Sequence, residues 1–373
     1  WGVYQLTSVK AFGATGDGST DDYAAIAAAI VYLSSGVNGG GELFFPKGNY
    51  LASQTIYVPQ SVTLLGEGRR PGPLGVGGNA NIEGSCIIGE HTGAAVVSFK
   101  GSAFCGLRNI CLHGDETTTP KTGLCVGRVA TESSGRHDIQ NSLIGGWFSE
   151  AAFYDIASEE SASYGLHILL LGGGAKYCYY TSDQDDLSVD ALGSSSNFTK
   201  AHYGINWLHQ GEANDSAAIY INARQGTQTV LFDGGFTGMT SGTTSSHVKI
   251  NVVSDGDNLG DFTFRQIGHE AVSNASPPVE VFKVSTTGGT QLKGLNIEAN
   301  TIGQIIGGTA EYIHVDDSLE LVNPNIDSAI VGHPSSFSKI LGGSIKLGQE
   351  EIEVRQTATR CNIQGGQVRY NGV

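Results

Sequence analysis

VKAFGATGDGSTDDYAAIAAAI (residues 9–30), GGGELFFPKGNYLAS (39–53) and IYVPQSVTLLGEG (56–68) decide the fold. Thr20, Asp21 and Asp22 are N-cap residues set just before an alanine-rich run that carries Ile26, Ile30 and Leu33 on one side. This pattern predicts a helix with a one-sided apolar stripe. Gly39, Gly40 and Gly41 end it and lead into Leu43–Phe45, a short apolar strand stopped by Pro46. Ile56–Val58 and Val62–Leu65 repeat the strand-and-turn pattern, closed by Gly66 and Gly68. One amphipathic helix followed at once by short strands predicts a cap over the open end of a strand stack, where bare edges would otherwise pair with other chains.

Working outward, 54 glycines in 373 residues and only 15% charged residues indicate many tight turns between short strands. Apolar residues recur throughout, and no Gly-X-Y period exists, which excludes disorder and collagen. Short apolar segments recur along the chain, for example CII (86–88), VVSF (96–99), LRNICL (107–112), LIGG (143–146), GLHILLL (165–171), AIYI (218–221) and VKINVV (248–253), and near the C-terminus the register repeats at offsets of 19 to 29 residues. Self-similarity of this size predicts a solenoid, which can grow to this length because each repeat touches only its neighbours.

The opening segment, V-K-x-F-G-A-x-G-D-G-x-x-D-D-x-x-A-I, then G-G-G, F-P-x-G-x-Y and V-x-L-x-G-x-G, resembles that of pectate-lyase-like right-handed parallel β-helices. Within that superfamily it is most similar to bacteriophage tailspike depolymerases. The resemblance covers about 60 of the 373 residues. It implies an all-β, single-stranded right-handed parallel β-helix with an N-terminal capping α-helix. Residues 1–68 would form the cap and first coils, and residues 69–373 the body. Loop insertions are expected near 182–196 (SDQDDLSVDALGSSS) and 237–246 (TGMTSGTTSS). Gly13, Gly16, Asp17, Gly18, Asp21 and Asp22 read as turn and cap residues. Fold alone does not fix the reaction, because this superfamily holds lyases, hydrolases, epimerases and binders.

A net charge of −15 argues against nucleic acid as the partner, and no apolar run reaches membrane-spanning length. Cys86, Cys105, Cys111, Cys125, Cys178 and Cys361 show neither CxxC nor zinc-ligand spacing and read as buried thiols from a reducing compartment. No cofactor and no metal site is expected. Trp1 in the first position and strand material reaching Val373 read as a piece of something longer.

For chemistry, FRQIGHEA (264–271), LKGLNIEA (292–299) and LVNPNIDS (321–328) align with offsets of 28 and 29, and GGSIK (342–346) and GGQVR (365–369) continue them. The alignment predicts one outward column of Glu270, Glu298 and Asp327, followed by Lys346 and Arg369. Acids one coil apart would lie about 5 Å from each other and acids two coils apart about 10 Å. These separations match retaining and inverting glycosidases, and like charges would push one pKa up. The competing reading makes the column a solvated ladder balanced by Lys346 and Arg369. His269 should point inward by strand alternation. Tyr203 and Trp207, with His209 beside them, are the expected sugar platform. Asp183, Asp185 and Asp186 match no calcium-loop spacing and read as solvated loop acids, and Glu159 and Glu160 sit in a polar turn.

The function expected is a homotrimeric tailspike in the virion tail that hydrolyses a bacterial surface polysaccharide, a capsule or O-antigen. Two alternatives stay open. One is a lyase or epimerase acting on a uronic-acid polymer, with Lys346, Arg369 or Tyr370 as base. The other is a non-catalytic receptor-binding fibre.

Overall fold

The computed structural model describes residues 6–35, 39–70, 83–129, 134–172, 174–194, 197–209, 215–224, 227–240, 245–254, 261–272, 279–302, 310–316, 319–322, 324–328, 335–337, 339–341, 344–346, 351–354, 362–364 and 367–370. Ser8 caps a 3-10 turn, Val9–Phe12, by accepting from the Lys10 amide, and Gly13 ends the turn at φ 96°. The buried Asp22 carboxylate then gathers the following loop, taking the Thr15 amide at 2.6 Å and the Gly16 amide at 2.8 Å. Asp17 accepts from the Ser19 and Thr20 amides, and the backbone bond from Thr20 leads in holding its carboxyl below the usual carboxylate range. Asp21 accepts the Tyr23 amide at the helix start and ties it to Ser53. These acids are therefore structural, as their spacing suggested.

The helix Tyr23–Ser35 buries Ile26, Ala29, Ile30 and Leu33. That face lies against the 3-10 turn and the strands Leu6–Ser8 and Gly41–Phe45, so the stripe does cap a strand stack.

The chain divides into two compact units, Trp1–Cys178 with Gln184–Ser194, and Tyr179–Asp183 with Ser195–Val373. Unit 1 is a three-sided parallel coil. Its first ladder runs Leu6–Ser8, Gly41–Phe45, Val62–Gly66, Gly106–Arg108, Asp138–Gln140 and Ser161–Tyr164. A second ladder runs from Asp17–Asp21 and Gly48–Ala52 to His167–Gly172, and a third from Ile56–Tyr57 to Ala151–Ile156. Inward side chains stack in register: Leu43, Leu64, Leu107 and Ile139 on the first ladder, Tyr50, Ile87, Leu112, Ile144 and Ile168 on the second. All are buried, and each large apolar side chain so removed from water contributes about 1.5–3 kcal/mol. Asn109 and Asn141 turn one corner at φ 53° and 45°, the left-handed region that asparagine tolerates.

Unit 2 is built the same way. Asn197–His209, Thr227–Thr240, Asp261–Arg265, Leu295–Ile302, Asn325–Ser328, Ser344–Lys346 and Asn362–Gln364 form one parallel ladder. Ala217–Ala223 through Gln367–Tyr370 form another, and Gln291–Lys293, Glu320–Val322 and Lys339–Leu341 a third. The strand Thr227–Thr240 continues through Thr240, where a loop was expected from residue 237. Its outer end stays a strand because it pairs with Gly268–Val272.

Cys86, Cys105, Cys111, Cys125 and Cys178 are buried and unlinked. Burial pushes the Cys105 thiol up to about 12. Cys361 lies outside the described residues.

Candidate active site

In unit 2, inward and outward positions alternate just before a corner. His202, Phe232, Phe264 and Ile297 point inward, with the Phe232 and Phe264 rings stacked 5.1 Å apart. The next residue on each strand therefore faces outward. These residues are Tyr203, Asp233, Arg265 and Glu298, and the register places them one above another. Gly204, Gly234 and Gln266 then turn the corner at φ 60°, 70° and 54°. At Gly235 a Cβ would come within 2.1 Å of the Ile205 carbonyl oxygen, so only glycine fits beneath this corner.

Arg265 grips Asp233 with two prongs, Nε to Oδ1 at 3.0 Å and Nη2 to Oδ2 at 2.5 Å. The bond from Arg265 holds the Asp233 carboxyl below its ordinary range, and the same bond raises the guanidinium. Glu298, on the other side of Arg265, takes no part in that grip: among the described residues it accepts a 3.4 Å contact from Asn325 Nδ2, and its charge acts on Arg265. The column continues where Ile297 pairs with Ile326, and Asp327 pairs with Lys346.

This arrangement corrects the expected column. Glu270 does not stack on Glu298: Arg265 does, and Glu270 sits over Gly238. The offset is 33, with Phe264 on Ile297, instead of 28. The similarity between the two stretches is nevertheless physical. Gln266 and Gly294 both take left-handed corners with φ of 54° and 68°, each between a short strand and a strand that carries an acid, Glu270 or Glu298. They are different corners of the coil, and text alone cannot tell one corner from another. The offset of 29 is correct, since Leu292 lies on Leu321 and Ile297 on Ile326. Arg369 leaves the column altogether, pairing with Glu353 on another ladder. The side chains of Asp327, Lys346 and Arg369 lie outside the described residues.

The sugar platform is also corrected. Trp207 and His209 are each 1% exposed. Ile205, Trp207 and His209 alternate inward, and Trp207 packs against Tyr179, His202 and Phe232. Only Tyr203 of that group faces outward, at the foot of the Asp233 column. His269 is fully buried as expected. The site members missed in the sequence are Asp233 and Arg265; their signal was an outward residue after an inward Phe and before a corner, Phe-Asp-Gly at 232–234 and Phe-Arg-Gln at 264–266.

The acidic loop is not solvated. Within unit 1, Asp190 is buried and accepts Ser98 Oγ at 2.9 Å, Lys100 Nζ at 3.2 Å and Tyr57 OH at 3.2 Å. Burial first and Asp190 second push the Tyr57 hydroxyl up to about 12. Asp185 accepts Tyr154 OH at 2.7 Å and the Val189 amide at 2.9 Å. Within unit 2, Asp183 faces Arg224 at 3.8 Å. A loop this rich in acids docks because its carboxylates meet donors on the ladder.

Unit 1 holds a second acid–arginine–acid group. Arg108 Nε meets Asp138 Oδ2 at 3.1 Å, and Nη1 meets Glu42 Oε1 at 3.4 Å. Among the described residues no group of three or more His, Cys, Asp or Glu is arranged to hold a metal ion, and no helix is long and apolar enough to cross a membrane.

Residues 6–168 match the family model "rhamnogalacturonase A/epimerase, pectate lyase-like". Plasmin and fibronectin-binding protein A of Streptococcus pneumoniae is 45% identical over 57 residues, 15% of this chain and 8% of that protein. A glucan 1,3-beta-glucosidase of Cochliobolus carbonum is 43% identical over 60 residues, 16% of this chain and 7% of that protein. The matched stretch thus spans under a tenth of either relative. Among solved structures, a DFA-IIIase from Arthrobacter chlorophenolicus A6 aligns over 99% of both chains at 12% identity and a TM-score of 0.47. ORF18 of Geobacillus virus E2 aligns over 98% of this chain and 60% of its own, at 12% identity and a TM-score of 0.46. With its stacked parallel coils under a capping helix, the segment 6–168 is a pectate-lyase-like parallel β-helix.

Proposed function

We propose that this chain binds and hydrolyses a bacterial surface polysaccharide, a capsule or O-antigen, as part of a homotrimeric phage tailspike. The observation that carries the reaction is the Asp233–Arg265–Glu298 column. Two rungs separate the two acids, a backbone distance of about 10 Å. Carboxyl groups converging slightly from that backbone distance reach the spacing of about 6.5–9.5 Å that leaves room for a water in inverting hydrolysis. Arg265 keeps Asp233 ionised, which suits the general base that activates that water. Glu298, left out of the two-pronged grip, is the general acid that protonates the leaving sugar oxygen. Tyr203 lends a ring edge below them. Glu270, across the corner and exposed, keeps no carboxylate partner within this column.

The carbohydrate class is supported by the pectate-lyase-like match and by the glucosidase relative. The tailspike setting rests on the opening-segment resemblance. A second reading, a binding fibre without catalysis, is favoured by the match to the streptococcal binding protein.

The test is a panel of capsular and O-polysaccharides incubated with the protein and read by mass spectrometry. Saturated fragments with new reducing ends, lost in Glu298→Gln, are expected. Unsaturated fragments would replace hydrolysis by elimination, and intact polymer retained on the protein would leave the fibre.

A further inference from the structure

Another corner of unit 1 carries features that the reaction does not use. Ala103, Gly135 and Glu159 bridge in parallel on three successive coils. The residues that follow them, Phe104, Arg136 and Glu160, all sit in the left-handed region, at φ 57°, 56° and 49°. Three non-glycine residues held this way in one stack are costly to the fold, and such strain concentrates where side chains must be aimed. The stack is fixed by the Phe104 amide donating to the Gly135 carbonyl at 3.0 Å and the Arg136 amide to the Glu159 carbonyl at 2.8 Å. A Cβ on Gly135 would meet the Glu159 carbonyl oxygen at 2.1 Å, so the floor admits no side chain.

The three side chains stay in solvent. Phe104 is 48% exposed, and the Arg136 guanidinium lies 5.5 Å from its ring centre. Arg136 Nε donates to Glu160 Oε2 at 2.6 Å. Together with Ser134 and Glu159 they line a cavity of about 150 Å³. That is the share of about five liquid waters, the bulk of one sugar ring and not of a chain.

We infer that this corner is a binding subsite for a single uncharged sugar ring of the polymer. The exposed Phe104 face packs against the apolar side of the ring, and Arg136 N–H groups donate to ring or glycosidic oxygens. Glu159 and Glu160 accept from paired hydroxyls. One guanidinium against two carboxylates leaves the corner net negative, so a uronate is repelled and a neutral hexose or deoxyhexose is preferred. The inference shares with the proposed reaction only its carbohydrate ligand, and its test is therefore run where cleavage is removed.

In a Glu298→Gln background, the Arg136 Nε–H signal is followed by nuclear magnetic resonance during titration with laminaritetraose, maltotetraose and tetragalacturonate. A neutral tetrasaccharide is expected to shift that signal, and tetragalacturonate is not. Phe104→Asn, which keeps a residue tolerant of the left-handed region, is expected to weaken the neutral sugar about tenfold. Glu160→Gln is expected to let tetragalacturonate bind within about threefold of the neutral sugar by removing one repelling charge. No shift with either neutral probe, equal binding of tetragalacturonate to the unaltered corner, or unchanged affinity in Phe104→Asn would each overturn the subsite. Those outcomes leave hydrolysis at Asp233 and Glu298 standing, and a failed cleavage assay leaves this corner standing.

Discussion

Each unit contains an arginine between two acids, and the two groups differ in register. In unit 1, Glu42, Thr63, Gly106 and Asp138 share one column, while Arg108 stands two residues along the strand from Gly106. Its acids are three rungs apart, about 14 Å, and the arginine reaches them diagonally. On its remaining oxygen Asp138 accepts a hydrogen bond from Gln140 Nε2 at 2.6 Å. In unit 2 all three residues share one column, and the acids are two rungs apart with Glu298 outside the two-pronged grip on Asp233. The same residue types thus make a surface ion network in one place and a spaced carboxylate pair in the other.

Cleavage breaks or sharpens that contrast most strongly. Asp233→Asn and Glu298→Gln should each lower the rate of reducing-end release by about 10²–10⁴-fold, while Asp138→Asn should leave it within about twofold. Equal losses from Asp138→Asn would mean that register does not separate the two groups.

Acid stability comes next. In the unit 2 core, Thr237 Oγ1 contacts His247 Nδ1 at 2.8 Å and His269 Nδ1 at 2.6 Å, and both Nε2 atoms are buried without a hydrogen-bond partner among the described residues. Burial lowers His247 to about 4 and His269 well below its ordinary value. As pH falls below about 6.5 the unfolded histidines take up protons before the folded ones do. Their contribution is therefore complete above that pH; that of His247 is lost on the way down to about 4, and that of His269 falls in the same direction. For His247 this amounts to roughly 3 kcal/mol. Urea midpoints measured across this range should fall with acid, and His247→Gln should flatten the slope; an unchanged slope would show that the pair does not govern acid unfolding.

Arg265 is the subtler probe. Arg265→Gln removes the bond that holds Asp233 low, so the acid limb of the pH–rate profile should move to higher pH, with a loss of about fivefold near neutrality. In unit 1 the matching Arg108→Gln change should leave the profile in place and cost about 0–1 kcal/mol in urea unfolding.

Much of the fold could be read directly. The Asp and Gly positions of the opening segment, the apolar stripe of Ile26, Ile30 and Leu33, the recurrence of short apolar runs and the inward His269 all follow from local rules of capping, periodicity and strand alternation. The site was legible only in part. Glu298 and the outward Tyr203 belong to the column, but Trp207 and His209 went to the core because alternation from Ile205 carries them there. Asp185 and Asp190 went to a docked loop because hydroxyl and ammonium donors awaited them on the ladder.

What the amino-acid order determined was the local unit: a strand, a left-handed corner, another strand, and which side chains face in. Only the tertiary structure decided which corner lies above which. A motif such as Phe-Arg-Gln-Ile or Leu-Lys-Gly-Leu turns the chain equally well at either vertex of the coil. The choice is made by how many residues the intervening sides consume before inward side chains stack. That count set Arg265, and not Glu270, beside Glu298.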